Sequence, residues 1–295
     1  MRQFFLAILL LCYPLSLFSQ TGLSFLQVGV TAREQALANT GVASAQSAAA
    51  NYYNSALLSA SEKSGILFSQ SFWLLDTYAS YVATKFNFGQ SALGVSLFWL
   101  TVSNIPIRLR PTPTPEGTFA AQNLAASVAY SQNLTDKLAI ALTGKFLFER
   151  IFIDDATGFA VDISGLFRPL QGLTLGASLQ NVGAMNALAS ESTRLPALLR
   201  IGAAYQLMLP TVESSLILEA NAVSVFSDAA HLSVGAEYMF RELLWLRIGA
   251  MLGNAARNFS AGVGIKWASI VFDYAFIPFT SQLGSANILT LQFQY

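Results

Sequence analysis

The sequence predicts an all-β protein, a transmembrane antiparallel β-barrel of about fourteen strands with a short N-terminal plug segment. Three observations carry this. Hydrophobic residues make up 54% of the 295 residues and charged residues only 11%, against about 25% charged in an ordinary soluble domain, so the groups that cover a water-facing surface are scarce. Segments of about ten residues alternate apolar with small or polar side chains, the period of a strand with one apolar face. No spanning helix competes: the most apolar stretch, 86–107, is broken by Asn87, Gln90, Ser91, Ser96, Thr101, Ser103 and Asn104, where a helix needs about 20 mostly apolar residues. In lipid a sheet must close, because an open edge leaves backbone groups unpaired. A secreted β-sandwich is disfavoured by the low charge and by the aromatic residues on the apolar faces.

The composition also excludes function classes. Sixteen basic residues balance 16 acidic ones, which removes the positive footprint that nucleic-acid binding requires. One Cys and one His leave no disulfide framework, thiolate metal site or His-rich centre. No phosphate loop or nucleotide fingerprint occurs, so neither a cofactor nor a metal is expected.

Residues 1–20 read as a secretory signal: Arg2 is the positive start, Phe4 to Phe18 the apolar run, and Ser19-Gln20 the processing point. Cys12 lies inside that run behind Ile8 and three leucines, which is not a lipidation context. Residues 21–64 do not alternate, and from Gln35 to Ser61 they carry no charge and are rich in Ala, Ser and Asn. Such small residues suit short helices packed inside a barrel whose lumen would otherwise be open to water, so 21–64 is assigned as the plug and 65–295 as the barrel.

Strands are expected to start near Gly65, Thr77, Ser91, Phe119, Asp136, Thr157, Gly172, Ala197, Glu213, Ala230, Leu243, Arg257, Ala268 and Asn287. The alternation is plain in Leu244, Leu246, Ile248, Ala250 and Leu252 against Trp245, Arg247, Gly249 and Met251, and in Leu138, Ile140 and Leu142 against Ala139, Ala141 and Thr143. The long connections, 102–118, 182–196 and 278–286, follow the third, seventh and thirteenth strands. Gly89-Gln90, Pro169-Leu170-Gln171 and Lys266-Trp267-Ala268 read as short turns after even strands. Outer-membrane barrels have long external loops and short periplasmic turns, so both chain ends are placed on the periplasmic side. Prolines 106, 111, 113 and 115 make 102–118 a semi-rigid external loop.

Parity turns Lys145, Glu149, Asp162, Glu219, Glu237, Arg247, Lys266 and Asp273 inward, where buried charges must pair across the lumen or with the plug. His231 and Ser233 share a face, the pattern of an outer-membrane lipase pair. That face is the lumenal one, away from lipid substrate, so no catalytic residue is assigned and the chain is not read as an enzyme. At the C-terminus Leu291, Phe293 and Tyr295 form an apolar face ending in an aromatic, which resembles the signal read by the barrel-assembly machinery.

The segment Phe25 to Arg33 (Phe-Leu-Gln-Val-Gly-Val-Thr-Ala-Arg), with Ala36, Gly41 and Asn51-Tyr-Tyr-Asn54 after it, resembles the N-terminal signature of the PorV/PorQ family. Those are outer-membrane proteins of the Bacteroidota related to the long-chain fatty-acid transporter (FadL-like) barrels. The family usually reads Asn-Pro-Ala where this chain has Asn54-Ser55-Ala56, which puts the local turn in question. Gly158 to Asp162, a Gln180-Asn-Val-Gly183 turn, Leu195-Pro196, Arg200 to Tyr205 and Phe272 to Phe276 are similar to further phrases of that family. The resemblance covers essentially the whole mature chain and implies a fourteen-stranded barrel with an N-terminal plug in the outer membrane of a Gram-negative cell. It also implies an accessory or docking role in type IX protein secretion, with secretion-system proteins, outer-membrane lipid and the barrel-assembly machinery as partners. The alternative is a FadL-like transporter of hydrophobic small molecules. A transporter should show an apolar pocket between plug and wall, and a docking protein an apolar patch on its external loops.

Overall fold

The side-chain alternation closes into a single sheet. The computed structural model describes residues 22–295 except 112, 190, 227–229, 255 and 281, with the side chains of 191 and 192 also left aside. The expected signal, residues 1–20, lies outside the described residues. The strands are β1 (Gly65–Phe72), β2 (Thr77–Asn87), β3 (Ser91–Ile107), β4 (Gly117–Asn133), β5 (Leu138–Ile151), β6 (Asp154–Leu170), β7 (Leu173–Met185), β8 (Ala187–Leu188), β9 (Glu191–Ser192), β10 (Leu198–Leu209), β11 (Ser214–Val225), β12 (His231–Phe240), β13 (Leu244–Leu252), β14 (Phe259–Trp267), β15 (Ile270–Pro278) and β16 (Ser285–Gln294). Short β8 and β9 pair only with each other, inside a long connection; the other fourteen form a closed barrel of sequential antiparallel neighbours. Closure is made by β1 on β16, from Gly65 opposite Gln294 to Phe72 opposite Asn287. Leu138, Ile140 and Leu142 are exposed on the outer face, while Ala139, Ala141 and Thr143 are buried inward. Among the described residues no helix is long and apolar enough to cross a membrane.

Four local expectations are corrected. The 102–118 connection is not all loop: β3 and β4 run past the barrel, with Ile105 opposite Phe119 and Pro106 opposite Thr118, after a register shift between Val102 and Ile105. Asn104 sits in that shift at φ 59°, the local kink a bulge produces. Pro169 and Leu170 belong to β6, and the turn falls at Gly172, whose φ of 81° suits glycine. Lys266 and Trp267 belong to β14, which pairs through Trp267 with Ile270. Gln180-Asn-Val-Gly183 is not a turn but an interior irregularity of β7, where the register against β6 shifts between Val161 and Ile163. Asn181 there has φ 61°, and its N–H is turned onto the Asp162 carboxylate at 2.8 Å.

The core lies in the lumen. The N-terminal segment enters as a 3₁₀ turn (Ser24–Gln27), a short helix (Ala32–Ala36), a second 3₁₀ turn (Ser47–Ala49), a helix (Ala50–Tyr53) and a last 3₁₀ turn (Ser55–Ala60). Its Phe25, Tyr52, Tyr53 and Leu58 pack with the inward Tyr81 and Phe98 of the wall; the Phe25 and Phe98 rings are 5.3 Å apart. Helices this short are not stable alone, so the wall holds them. Small wall residues make the approach possible: a Cβ on Gly249 would collide with the Leu37–Ala38 backbone, and one on Gly176 with the Val42 carbonyl. Asn54, where the resemblance left the turn in question, caps the last 3₁₀ turn by accepting from Ala56 N at 3.0 Å, and Ser55 Oγ lies 2.7 Å from Thr143 Oγ1.

Gly249→Val is expected to destabilise the plugged state by about 1–3 kcal/mol, the usual cost of overpacking. Amides 32–40 should exchange faster while those of β1 and β16 keep their protection. Equal protection at 32–40 in both proteins would refute the packing argument.

Candidate functional site at the plug–wall interface and the external mouth

Only two charged residues lie between 21 and 61, Arg33 and Glu34, and both are buried against the wall. The Ala32–Ala36 helix is placed by Ala32 N donating to Thr290 Oγ1 at 2.8 Å and by Ser260 Oγ donating to Ala36 O at 2.9 Å. This aims Arg33 at β11 and β12. Its Nε donates to Glu237 Oε2 at 2.9 Å, and its Nη2 to Glu237 Oε1 at 3.0 Å and Glu219 Oε1 at 3.2 Å. Its Nη1 reaches Glu34 Oε1 at 3.0 Å and the Ser44 carbonyl at 3.1 Å. Thr31 Oγ1 donates to Glu34. Burial pushes the Glu34 carboxyl above its ordinary value, against the opposing pull of Arg33.

The network continues around the wall. Glu237 and Arg247 are cross-strand partners, and Arg247 Nε donates to Glu237 Oε2 at 2.6 Å. Arg247 Nη1 donates to Asp273 Oδ1 at 2.6 Å, whose Oδ2 accepts from Gln292 Nε2 at 3.0 Å. The plug is thus tied by charge to β11 and β12, and through Arg247 the ion pairs continue to β13 and β15, with Gln292 of β16 hydrogen-bonded at the end. On the other side, Lys145 Nζ bridges to Asp162 Oδ2 at 2.7 Å and donates to Asn181 Oδ1 at 2.8 Å. Two amides and an ammonium complete the attachment: Gln180 Nε2 donates to the Tyr52 carbonyl at 2.8 Å, Asn54 Nδ2 to the Gly165 carbonyl at 3.0 Å and Lys85 Nζ to the Ser61 carbonyl at 2.6 Å.

Of the residues that parity turned inward, Glu219, Glu237, Arg247 and Asp273 join one network, and Lys145 and Asp162 pair in another. Lys266 sits at the rim of the short turns, 3.4 Å from Glu242, and Glu149 lines a cavity at the opposite mouth. Ser233 is buried facing inward and His231 lines the mouth. Leu291, Phe293 and Tyr295 are exposed on the outer face. Arg33, Arg200 and Arg257 received no role from the sequence. The charge pair at 33–34 in an otherwise neutral stretch was the available signal for the first; nothing local marks the other two.

The rim with the long connections carries both features by which the two functions were to be told apart. A cavity of about 380 Å³, lined mostly by apolar side chains but also by Asn123 and Glu149, lies between the plug (Leu23, Phe25, Val28) and the wall (Leu74, Leu100, Val102). The connections themselves expose large apolar tips: Leu75 at 89%, Leu109 at 80% and Ile153 at 80%. These three belong to successive hairpins that touch each other, through Ser103 N on Asp76 O at 3.1 Å and the Phe119 and Phe152 rings at 5.4 Å. At the mouth with the short turns a cavity of about 600 Å³ is lined by Asp136, Lys137 and Arg168 among others.

A family profile described as "Type IX secretion system protein PorV" matches residues 18–226. A search of curated proteins finds no match. Among solved structures, the toluene transporter TbuX of Ralstonia pickettii superposes with a TM-score of 0.67 at 13% identity, covering 90% of this chain and 98% of that one. The toluene transporter TodX of Pseudomonas putida gives 0.66 at 11% identity, with coverage of 90% and 98%. A FadL homologue of Pseudomonas aeruginosa gives 0.51 at 11%, again covering 90% and 98%. At these identities the structures speak for the fold alone.

Proposed function

From the premise that the chain belongs to the PorV family of type IX secretion system proteins, we propose that it is an accessory, docking barrel of protein secretion in the outer membrane, working through its external loops. The observation that carries this is the family match over residues 18–226. The exposed Leu75, Leu109 and Ile153 on three adjoining hairpins supply the working surface, because clustered large apolar side chains facing water mark interaction sites. Association with type IX secretion proteins follows from the family. Family and fold are those of a secretion or transport barrel rather than of an enzyme class, and we take the chain to catalyse no reaction. The experiment is purification of the tagged protein from native outer membranes in mild detergent, with mass spectrometry of proteins and lipids. A secretion subunit should be recovered in stoichiometric amount. Recovery of the barrel alone, with an apolar ligand inside, would sink the docking reading and promote transport.

That second reading, a transporter of hydrophobic small molecules, is favoured by the mostly apolar cavity between plug and wall. Against it stands the density of the attachment, which puts charge, amide and backbone bonds around the whole plug.

The further assignments belong to the same proposal. Residues 1–20 are removed as a signal, 21–64 act as one plug unit, and the wall contacts outer-membrane lipid. Leu291, Phe293 and Tyr295 are offered to the barrel-assembly machinery while the last strand is still unpaired. Phe293→Ser combined with Tyr295→Ser should lower the heat-modifiable, assembled form in the outer membrane several-fold. Undiminished assembly would count against the signal.

A further inference from the structure

Two buried guanidinium groups at the external mouth have no carboxylate partner among the described residues. Arg200, on β10, is 1% exposed; its Nε donates to Gln180 Oε1 at 3.0 Å, and its Nη1 has no hydrogen-bond partner. It lies 5.8 Å from the Tyr52 ring centre and 5.9 Å from that of Tyr53. Arg257, in the connection between β13 and β14, is 7% exposed; its Nη2 donates to the Gln35 carbonyl at 3.0 Å, and its Nε has no partner. Arg33, Arg247 and Lys145, by contrast, each lie within 3.2 Å of a carboxylate, and the buried Lys85 ammonium is answered by the Ser61 carbonyl. A buried charge without a counter-ion costs several kcal/mol, and here two of them line one cavity of about 230 Å³.

The rest of that cavity fits an anion. Among the described residues no Asp or Glu lines it: its other polar side chains include Gln27, Asn39, His231 and Asn254, and the walls include Leu198, Val223 and Val225. It shares Val28, Trp73 and Phe279 with the neighbouring, mostly apolar cavity. Burial lowers Arg257 to about 10, which leaves it charged at neutral pH.

We propose that Arg200 and Arg257 form an oxyanion site, open to the external side, that takes a carboxylate group whose attached apolar segment lies against Val28, Trp73 and Phe279. Guanidinium forks match a carboxylate in shape and charge. At about 30 Å³ per water-sized volume, the cavity holds a head group and a few carbons. The carboxylate can be that of a short free acid or the C-terminus of a polypeptide. The site does not depend on the docking function and stands or falls by itself.

The test uses the full-length protein in detergent and isothermal calorimetry with four probes: hexanoate, hexanol, an apolar pentapeptide with a free C-terminus, and its C-terminal amide. At least one of the two carboxylates should bind saturably, with hexanol and the amide failing, and the carboxylate that binds names the source. Arg257→Gln should weaken that binding about tenfold or more, the worth of a charge-assisted bond. Arg241→Gln, at the opposite rim beside Glu213 and Phe240, should leave it intact. The acid-against-uncharged comparison on the unaltered protein keeps the proposal testable if a variant fails to assemble. It is overturned if neither carboxylate binds, if hexanol or the amide binds as well as its acid, or if Arg257→Gln changes nothing.

Discussion

Arg33→Ala is expected to loosen the plug while leaving the barrel assembled. The guanidinium touches Glu34, Glu219 and Glu237 at once, and its removal strands buried carboxylates with Arg247 as the one remaining cation of that network. Breaking a buried pair from one side costs about 3–5 kcal/mol, more than a helix as short as Ala32–Ala36 can supply by itself. Closure of β1 on β16 does not involve Arg33, so the heat-modifiable barrel band should persist. Amides 32–44 should lose protection in hydrogen exchange, and planar-bilayer conductance should rise. Glu219→Gln added to Arg33→Ala should recover part of the loss, since Glu219 is left without its cation while Glu237 keeps Arg247. Unchanged exchange over 32–44 in Arg33→Ala would show that the apolar and amide contacts hold the plug without the ion pairs.

Leu75→Asp, Leu109→Asp and Ile153→Asp in one chain should reduce the recovered secretion subunit by an order of magnitude or more. Apolar side chains at the centre of an interface commonly carry about 2 kcal/mol or more each, and a buried new carboxylate adds a desolvation cost. All three tips are exposed and outside the lumen, so plug exchange and barrel assembly should match the parent protein. Partner recovery at the parent level would move the docking surface elsewhere. Parent-level recovery from Arg33→Ala together with loss from the loop variant would separate the two roles: plug as closure, loops as contact.

The barrel was legible in the sequence because strand periodicity is a local property. Which of two neighbouring residues faces lipid depends on parity alone, so Leu138 to Thr143 could be sorted without knowledge of any partner. Strand starts from Gly65 to Asn287 could be placed to within a few residues, and the long connections marked the external rim. The segment 21–64 stood out because it did not alternate and carried almost no charge. Local reading erred where one residue changes register: Asn181 looked like a turn, and its φ of 61° is instead a feature of β7 held by Asp162. It erred in part at 102–118, where β3 and β4 stay paired out to Ile107 and Gly117 and the loop is confined to 108–116.

Partner identity across the lumen is a different kind of information. Arg33 and Glu237 are 204 positions apart, and no pattern of spacing links them; only closure of β1 on β16 brings the plug, β11, β12 and β13 around one point. The same holds for Arg200 and Arg257, which look like ordinary residues at strand ends until the fold buries both in one cavity where no described residue supplies a carboxylate. Sequence alone determined the solvent, the sheet and its sidedness, since these follow from composition and period. Tertiary structure alone decided which charges are neutralised and which are left waiting, since that depends on what burial places within hydrogen-bond reach.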